Sequence, residues 1–385
     1  MKRVRTPIAR LVVASLVIWT GHTLAPAAQR PMPAAAPQVP RFEFDPGWPK
    51  QPFPNYEILG NVIGLAIDAS EHIWVLNRPQ MVTEQEQGAA FSVTDALCCR
   101  PAKPVLEIDR AGNVVQEWGG AAPGRIWVAQ EHGIFVDRND HVWIGSPQDS
   151  FLLKLTRDGR FLMQIGEAGH REPTSGDQKI LGGPAPWVDP RANELYVADG
   201  YRNRRVIVFD AETGRFKRMW GAYGNPPDDS IKWTFDPAGT DRSPSPQFQT
   251  VTSVIGSRDD LLYVADRSNN RIQVFKTNGS YVREVFIAPK TPRGTVDTLA
   301  FSSDPEQRFI YDADPRNMRI WIIRRSDLQI LGWFGHGGHQ AGGFVSPAYV
   351  VVDSSNNLYV GEGQDGKRVQ RFLFKGMTAG NLPGR

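Results

Sequence analysis

The chain offers few side chains that can do chemistry, and His132 is the most suggestive of them. It directly precedes the apolar run GIFVD at 133–137, a pattern that recurs along the chain. An imidazole in such a place can act as a general base or as a metal ligand. The matching places of three later copies hold Thr252, Asp297 and Ala348. A single imidazole does not make a metal site, because catalytic zinc normally has three protein ligands.

Four other histidines stand in settings that indicate structure rather than catalysis. His336 and His339 lie in the glycine-rich segment GHGGH, which predicts a solvent-exposed loop. His72 and His141 each come one position before an Ile-Trp or Val-Trp pair, so they share one place in a repeated unit. A place that recurs is better explained by packing than by a reaction.

The two cysteines, Cys98 and Cys99, are adjacent in the sequence. In an exported protein, where thiols tend to oxidise, we expect them to form a vicinal disulfide. Two small free thiols are the alternative.

Six internal repeats must position these side chains. Each repeat has short runs rich in Val, Ile, Tyr, Phe and Trp, separated by Asn, Asp, Gly and Pro, which predicts strands joined by turns. The pattern predicts an all-β fold, a six-bladed β-propeller of the NHL-repeat type. The copies are HIWVLNRPQ at 72–80, HVWIGSPQDSFLLKLT at 141–156, YVADGYRNRRVIVFD at 196–210, YVADRSNNRIQVFK at 263–276, IYDADPRNMRIWII at 310–323 and LYVGEGQDGKRVQRF at 358–372.

The two ends of the repeat array predict how the ring closes. The last copy ends after its third strand, near 371–374, and an unpaired strand at 41–45 precedes the first copy. We expect that N-terminal strand to complete blade six and to protect its edge. Insertions at 79–104 in blade one and 223–247 in blade three are predicted to lie on a face of the propeller.

An acidic residue followed by an arginine recurs at the second turn of three repeats. Because the pairing repeats, we interpret it as a link that holds each hairpin together rather than as a ligand site. The pairs are Asp199 with Arg205, Asp266 with Arg271, and Asp314 with Arg319.

Residues 1–27 have the basic start, short apolar run and small residues of a secretory signal peptide. The sequence predicts a linker at 28–40, the propeller at 41–375 and a tail at 376–385. Cleavage removes four basic and no acidic residues, which changes the net charge from +3 to −1. We therefore expect a periplasmic or secreted protein without a membrane span after cleavage, and no nucleic-acid partner.

The order of these parts resembles peptidyl-α-hydroxyglycine α-amidating lyase, a family of six-bladed NHL propellers. The likeness rests on HGIFVD at 132–137, DGYRNRRVIVF at 199–209, ADRSNNRIQVF at 265–275 and LYVGE at 358–362. It covers most of the chain after the signal peptide. It implies the propeller fold and, more weakly, lyase chemistry.

The resemblance implies a zinc ion held by three histidines, a structural calcium ion, and a catalytic arginine, tyrosine and methionine. His132 matches the first zinc ligand, Arg78 the arginine and Tyr201 the tyrosine. Two of the three zinc histidines are absent, and most calcium ligands are not retained. The places that differ are Thr252 and Ala348 for zinc, Ser346 for the methionine and Tyr349 for the calcium-binding aspartate, while Leu65 and Ile134 match places that supply calcium only with backbone carbonyls.

Three hypotheses on function remain open at this point. In the first, a lyase-like enzyme acts on a small polar substrate in the central channel, with His132 as base, Tyr201 as acid or second base, and Arg78 as the clamp for a carboxylate or alkoxide. In the second, a non-catalytic periplasmic propeller binds a small molecule, a peptide or a protein. A calcium-dependent lactonase is a third, weaker hypothesis, for which only Asp297 offers a suitable side chain.

Overall fold

A computed structural model describes residues 38–90, 96–169, 173–231 and 245–379. The predicted signal peptide, and all but the end of the predicted linker, lie outside the described residues. Six four-stranded antiparallel sheets form the fold. The innermost strand of each sheet contacts that of the next, and the sixth contacts the first. The predicted six-bladed β-propeller is confirmed.

The strands of each blade follow one another from the channel outwards, except in blade six. Blades one to three consist of Asn61–Ile67, Ile73–Arg78, Val105–Ile108 and Val114–Trp118; His132–Val136, Val142–Ser146, Phe151–Leu155 and Phe161–Ile165; and Pro184–Asp189, Glu194–Asp199, Arg205–Asp210 and Phe216–Trp220. Blades four to six consist of Val251–Gly256, Leu261–Asp266, Arg271–Lys276 and Tyr281–Phe286; Leu299–Phe301, Phe309–Asp314, Arg319–Arg324 and Gln329–Phe334; and Pro347–Val352, Leu358–Glu362, Arg368–Ala379 and Gln38–Asp45.

Short elements complete the described fold. A parallel pair joins Glu57–Ile58 to Arg100–Pro101. Single 3-10 turns lie at Pro54–Tyr56, Pro79–Met81, Glu84–Glu86, Gly88–Ala90, Ala222–Gly224, Arg267–Asn269 and Gln364–Gly366. Within the described residues, no helix is long and apolar enough to span a bilayer.

The core lies between neighbouring blades, because side chains alternate from one face of a strand to the other. In the second strand of blade three, Leu195 and Val197 pack with Trp143 of blade two. The intervening Tyr196 and Ala198 pack with Phe275 of blade four. Each sheet is therefore buried on both faces, and a blade depends on both neighbours for its stability.

The N-terminal strand closes the ring as the sequence suggested. Gln38–Asp45 pairs antiparallel with the final strand, Arg368–Ala379. Phe42 packs against Tyr311 and Phe334 of blade five, with ring centroids 5.5 and 5.2 Å apart. The first strand begins inside the linker predicted at 28–40, and the final strand ends inside the tail predicted at 376–385. Hydrogen bonds between the two strands extend the propeller beyond the predicted limits of 41 and 375.

Two of the three predicted hairpin links are present. Arg205 Nε lies 2.8 Å from Asp199, and Arg271 Nε lies 2.8 Å from Asp266, with all four side chains fully buried. Blade six has an equivalent that the sequence analysis did not name, since Glu362 pairs with Arg368 at 2.6 Å.

The predicted link between Asp314 and Arg319 is wrong. Asp314 instead accepts a hydrogen bond from Trp321 Nε1 at 2.8 Å. The Arg319 guanidinium stacks 4.4 Å from the ring centroid of Trp333. The indole N–H of Trp321 satisfies the carboxyl, and the indole rings offer the guanidinium a face on which to stack.

The cysteines form the expected vicinal disulfide. Cys98 and Cys99 are joined within the blade-one insertion, just before Arg100–Pro101.

Candidate active site

Three residues from three blades converge on one mouth of the central channel. Arg78 ends the second strand of blade one, His132 begins the inner strand of blade two, and Tyr201 lies in the turn after Asp199 of blade three. All three line a cavity of about 350 Å³. The fold thus brings together the three candidate site residues, which are far apart in the sequence.

His132 and Tyr201 are in direct contact. His132 Nε2 lies 3.1 Å from the Tyr201 hydroxyl. Their rings meet edge to face with centroids 4.8 Å apart. His132 is buried, while Tyr201 is 41% exposed and presents its ring to the cavity. The hydroxyl can therefore reach both the imidazole and a bound molecule.

Arg267 is a site residue that the sequence analysis missed. Its Nη1 lies 3.4 Å from the Tyr201 hydroxyl and 3.2 Å from an Asp297 carboxylate oxygen, and its guanidinium lies over the Tyr201 ring. Arg267 follows Asp266 just as Arg78 follows Asn77 in the first repeat. This shared place in the repeat is the signal that could have found it.

The donor and the acceptor of each of these hydrogen bonds follow from the fact that Arg267 can only donate. A guanidinium can only donate, so the Tyr201 oxygen accepts from Arg267. The hydroxyl proton is then free to be donated to His132 Nε2, which we assign as the acceptor. The network therefore holds Tyr201 as a proton donor.

Burial, aided by two neighbouring positive charges, keeps His132 neutral. Burial, together with the positive charges of Arg78 and Arg267, lowers the pKa of His132 to about 3. Burial also raises the pKa of Tyr201, although both arginines oppose that shift. At neutral pH the pair consists of an uncharged imidazole and an uncharged phenol.

Arg78 is held by the backbone rather than by an ion pair. Its Nε and Nη2 both donate to the Glu131 carbonyl, at 3.1 and 2.7 Å. The Glu131 carboxylate is turned to Trp127 Nε1, at 2.9 Å, and to Gln80. Among the residues that the structure describes, no carboxylate pairs with Arg78. Its charge is therefore available to an anionic ligand.

The residues at the mouth do not fit the zinc ion that the resemblance implies. Thr252 Oγ1 donates to the Asp297 carbonyl at 2.7 Å, and Ala348 has no donor atom. His132 is the remaining imidazole, and the charges of Arg78 and Arg267 act against a cation beside it. Three ligands are normally needed to hold zinc, so the zinc ligation set is not retained.

The calcium site that the resemblance implies lacks its carboxylate. Tyr349 stands where a carboxylate is implied, and burial holds the pKa of its hydroxyl well above the ordinary value. A neutral phenol is a poor substitute for a carboxylate as a calcium ligand.

One cluster of metal-binding residue types, Asp68, His72 and Glu107, occurs in the described part of the chain. The Arg157 guanidinium lies 2.7 Å from Asp68 and also bonds to Glu107. A cation of the protein itself thus satisfies these carboxylates. The cluster is an ion-pair network between blades one and two.

The other aromatic and histidine candidates lie elsewhere. His336 and His339 are exposed, as expected, and do not line the cavity. Trp127 holds Glu131 behind the mouth, and Trp187 lines the opposite half of the channel.

The low pKa of His132 predicts sensitivity to acid. In the unfolded chain the His132 imidazole has a pKa near 6.5, whereas in the folded protein its pKa is about 3. The contribution of this group to the free energy of unfolding is therefore complete above pH 6.5 and decreases as the pH falls. We expect the protonation of His132 in the unfolded chain to lower the free energy of unfolding by about 2 kcal/mol at pH 5 relative to neutral pH. Urea unfolding at pH 7.5 and pH 5 should show the loss in the wild type but not in His132→Gln. An equal loss in both would contradict the shift, and His339→Gln, at an exposed site, should behave like the wild type.

Comparison with known proteins finds relatives among the peptide-amidating enzymes. No protein-family model matches the chain. A peptidylglycine α-amidating monooxygenase of Rattus norvegicus is 25% identical over 365 residues, covering 88% of this chain and 34% of that protein. The corresponding protein of Mus musculus is 26% identical over 323 residues, covering 80% of this chain and 30% of its own length. This chain therefore spans about a third of the length of these curated relatives.

A shorter relative carries only the lyase name. A probable peptidyl-α-hydroxyglycine α-amidating lyase of Caenorhabditis elegans is 24% identical over 225 residues, covering 58% of this chain and 57% of that protein. The protein is a six-bladed propeller that resembles these amidating enzymes.

Proposed function

We propose that this protein is a lyase-like enzyme that acts on a small polar substrate carrying a carboxylate. The observation that carries this proposal is the contact of His132 with Tyr201 in the cavity that Arg78 and Arg267 also line. The similarity to the amidating lyases supports the same class of reaction.

The charge of the cavity supports a carboxylate substrate. Three arginines line it, Arg78, Arg267 and Arg316, against a single carboxylate, Asp297, among the described residues. Asp297 is already paired with Arg267. Planar guanidinium groups bind carboxylates through paired hydrogen bonds. Arg78 has no carboxylate partner among the described residues, so we assign it as the residue that binds the substrate carboxylate.

The same clamp can activate His132. Arg78 is one of the two charges that depress the imidazole pKa. A substrate carboxylate bound to Arg78 offsets that charge, so the imidazole becomes a stronger base only when substrate is present. With an N-acyl-α-hydroxyglycine, His132 then accepts the hydroxyl proton as the carbon–nitrogen bond breaks, and Tyr201 donates its proton to the departing amide nitrogen, while the arginines stabilise the developing negative charge. The products are the amide and glyoxylate, and His132 passes its proton back to Tyr201.

The proposal includes export. The signal peptide predicted at 1–27 would direct the protein to the periplasm or the medium. The disulfide between Cys98 and Cys99 supports an oxidising compartment. The expected partner is a small molecule or a peptide bearing the reactive group.

Turnover of an N-acyl-α-hydroxyglycine tests the proposal. We expect the purified protein to cleave it, and Tyr201→Phe to lower kcat by about 10²-fold because a proton-transfer group is lost. Arg78→Ala should mainly raise KM. Tyr281→Phe is the matched control, since Tyr281 lies on the outer strand of blade four and outside the cavity.

Three results would count against parts of this proposal. Unchanged kinetics in Tyr201→Phe and Arg78→Ala would remove both residues from the site. Binding of the substrate analogue without turnover would favour the alternative, a ligand-binding propeller. Stoichiometric zinc in the purified protein would contradict the loss of the metal centre.

A further inference from the structure

We propose that the opposite end of the central channel is a second ligand site, which binds an amphiphilic carboxylate. The apolar tail lies in the channel, and the carboxylate meets Arg138 and Arg258 at the rim. This site is independent of the proposed enzyme function.

The channel is divided into two compartments. One is the cavity of about 350 Å³ that holds the candidate active site. The other is a cavity of about 300 Å³ that extends along the six inner strands. His132, Asp297 and Tyr349 line both cavities and so form the partition between them. A molecule in the second compartment must therefore enter from the far end.

Apolar side chains from all six inner strands line the second compartment, together with polar side chains such as Thr252, Asp297 and Thr298. Each inner strand contributes at least one half-buried apolar residue to this lining, and we call the following six the apolar ring: Ile67, Phe135, Trp187, Ile255, Phe301 and Val351. Each of them keeps part of its surface uncovered by protein. Ligand pockets in proteins are typically enclosed, mostly apolar spaces of this size with a few polar groups at one end.

The polar end of this compartment is positively charged. A surface groove beside blades two to four shares Phe135, Trp187, Gly256 and Gln307 with the channel. Arginines stand along it, at 138, 191 and 258, with Asp189 as its one carboxylate among the described residues. The groove and the channel thus form one continuous space, apolar inside and cationic outside.

Two of these arginines have no carboxylate partner in the described part of the chain. Arg191 is paired with Asp260 at 2.6 Å. Arg258 donates to the Asp304 carbonyl, and Arg138 makes no ion pair there.

The nearby acidic side chains are paired with other arginines. Asp140 lies 3.0 Å from Arg157, and Asp259 lies 2.7 Å from Arg325. Asp304 lies 3.2 Å from Arg308. Arg138 and Arg258 are therefore the arginines of this rim that have no carboxylate partner in the described part of the chain.

These features select the ligand by charge and by shape. An enclosed channel admits a narrow tail but no folded protein. A hydrocarbon without an anionic head group would leave Arg138 and Arg258 without a counter-charge. A small anion without a hydrocarbon tail would leave the apolar ring exposed to water. A monocarboxylate with a hydrocarbon chain satisfies both parts.

Isothermal titration of the full-length mature protein with octanoate tests the proposal. We expect one site per chain. The double variant Arg138→Gln/Arg258→Gln should bind octanoate at least about tenfold more weakly, since it removes the charged hydrogen bonds to the head group. Octyltrimethylammonium has a tail of the same length and the opposite charge, and it should bind no better than the double variant binds octanoate.

Matched variants separate this site from the other mouth. Arg215→Gln changes an exposed arginine outside the groove and should leave octanoate binding unchanged. Arg78→Ala should also leave it unchanged, even if the proposed enzyme function proves wrong. Absence of binding, equal binding of the cationic analogue, or competition by the N-acyl-α-hydroxyglycine would overturn the inference.

Discussion

Arg205→Met is expected to destabilise the protein by about 3–5 kcal/mol, because it leaves a buried carboxylate without its cation. Arg205 is fully buried and donates to Asp199, to the Ser175 carbonyl at 2.7 Å and to the Ile180 carbonyl at 2.9 Å. Methionine fills a similar volume but donates nothing. Among the residues that the structure describes, Asp199 would keep Asn203 and the Gly182 amide as partners.

Arg319→Met provides the matched control for this substitution. Arg319 occupies the same place in blade five, yet it stacks on indole rings and makes no ion pair with Asp314. We expect its replacement to cost about 1 kcal/mol or less, which is the usual scale of a cation–π contact. Urea unfolding of both variants measures the difference. Similar losses for the two would show that the buried pair in blade three is not what stabilises its hairpin.

Repetition explains why the sequence was sufficient for the architecture. One hairpin in isolation is ambiguous, but six copies with a missing outer strand at one end and a spare strand at the other predict a closed ring. Arg78, His132 and Tyr201 were named from the family resemblance. They meet because the start of an inner strand and the end of the strand that pairs antiparallel with it lie at the same face of the propeller.

The partner of an individual side chain could not be predicted in this way. Arg319 occupies the same position in the repeat as Arg205. In blade five, however, Trp321 donates a hydrogen bond to Asp314, and Arg319 stacks on Trp333 instead of pairing with that carboxyl. The apolar ring of the far channel combines residues such as Phe135 and Ile255 that also suit an ordinary blade core. Residues that line the channel can be told apart from residues of the blade core only when the structure shows which side chains keep part of their surface exposed to the channel.

Asp312 is a second case in which one blade departs from the repeat. It is fully buried, and neither carboxyl oxygen has a hydrogen-bond partner in the described structure. Val197 and Val264 occupy the same place in blades three and four, two positions before the closing aspartate. Burial, followed by the charges of Asp314 and Asp297, raises the pKa of Asp312 well above its ordinary value.

We therefore expect Asp312→Val to stabilise the protein by about 3 kcal/mol at pH 7, because it removes a buried polar group that lacks partners. Valine is the residue that this place accommodates in two other blades. The unfolding free energy in urea measures the gain. Asp365→Val, at an exposed turn, should change stability little.

The dependence on pH tests the cause of this gain. The folded protein holds a proton on Asp312 that the unfolded chain releases above about pH 4, so the wild type loses stability as the pH rises towards the folded pKa. The advantage of Asp312→Val should therefore be larger at pH 8 than at pH 5. An advantage that does not change with pH would mean that Asp312 is ionised and has a partner in the folded protein. His132 acts in the opposite direction, so Asp312→Val should lose more stability than the wild type when the pH falls from 8 to 5.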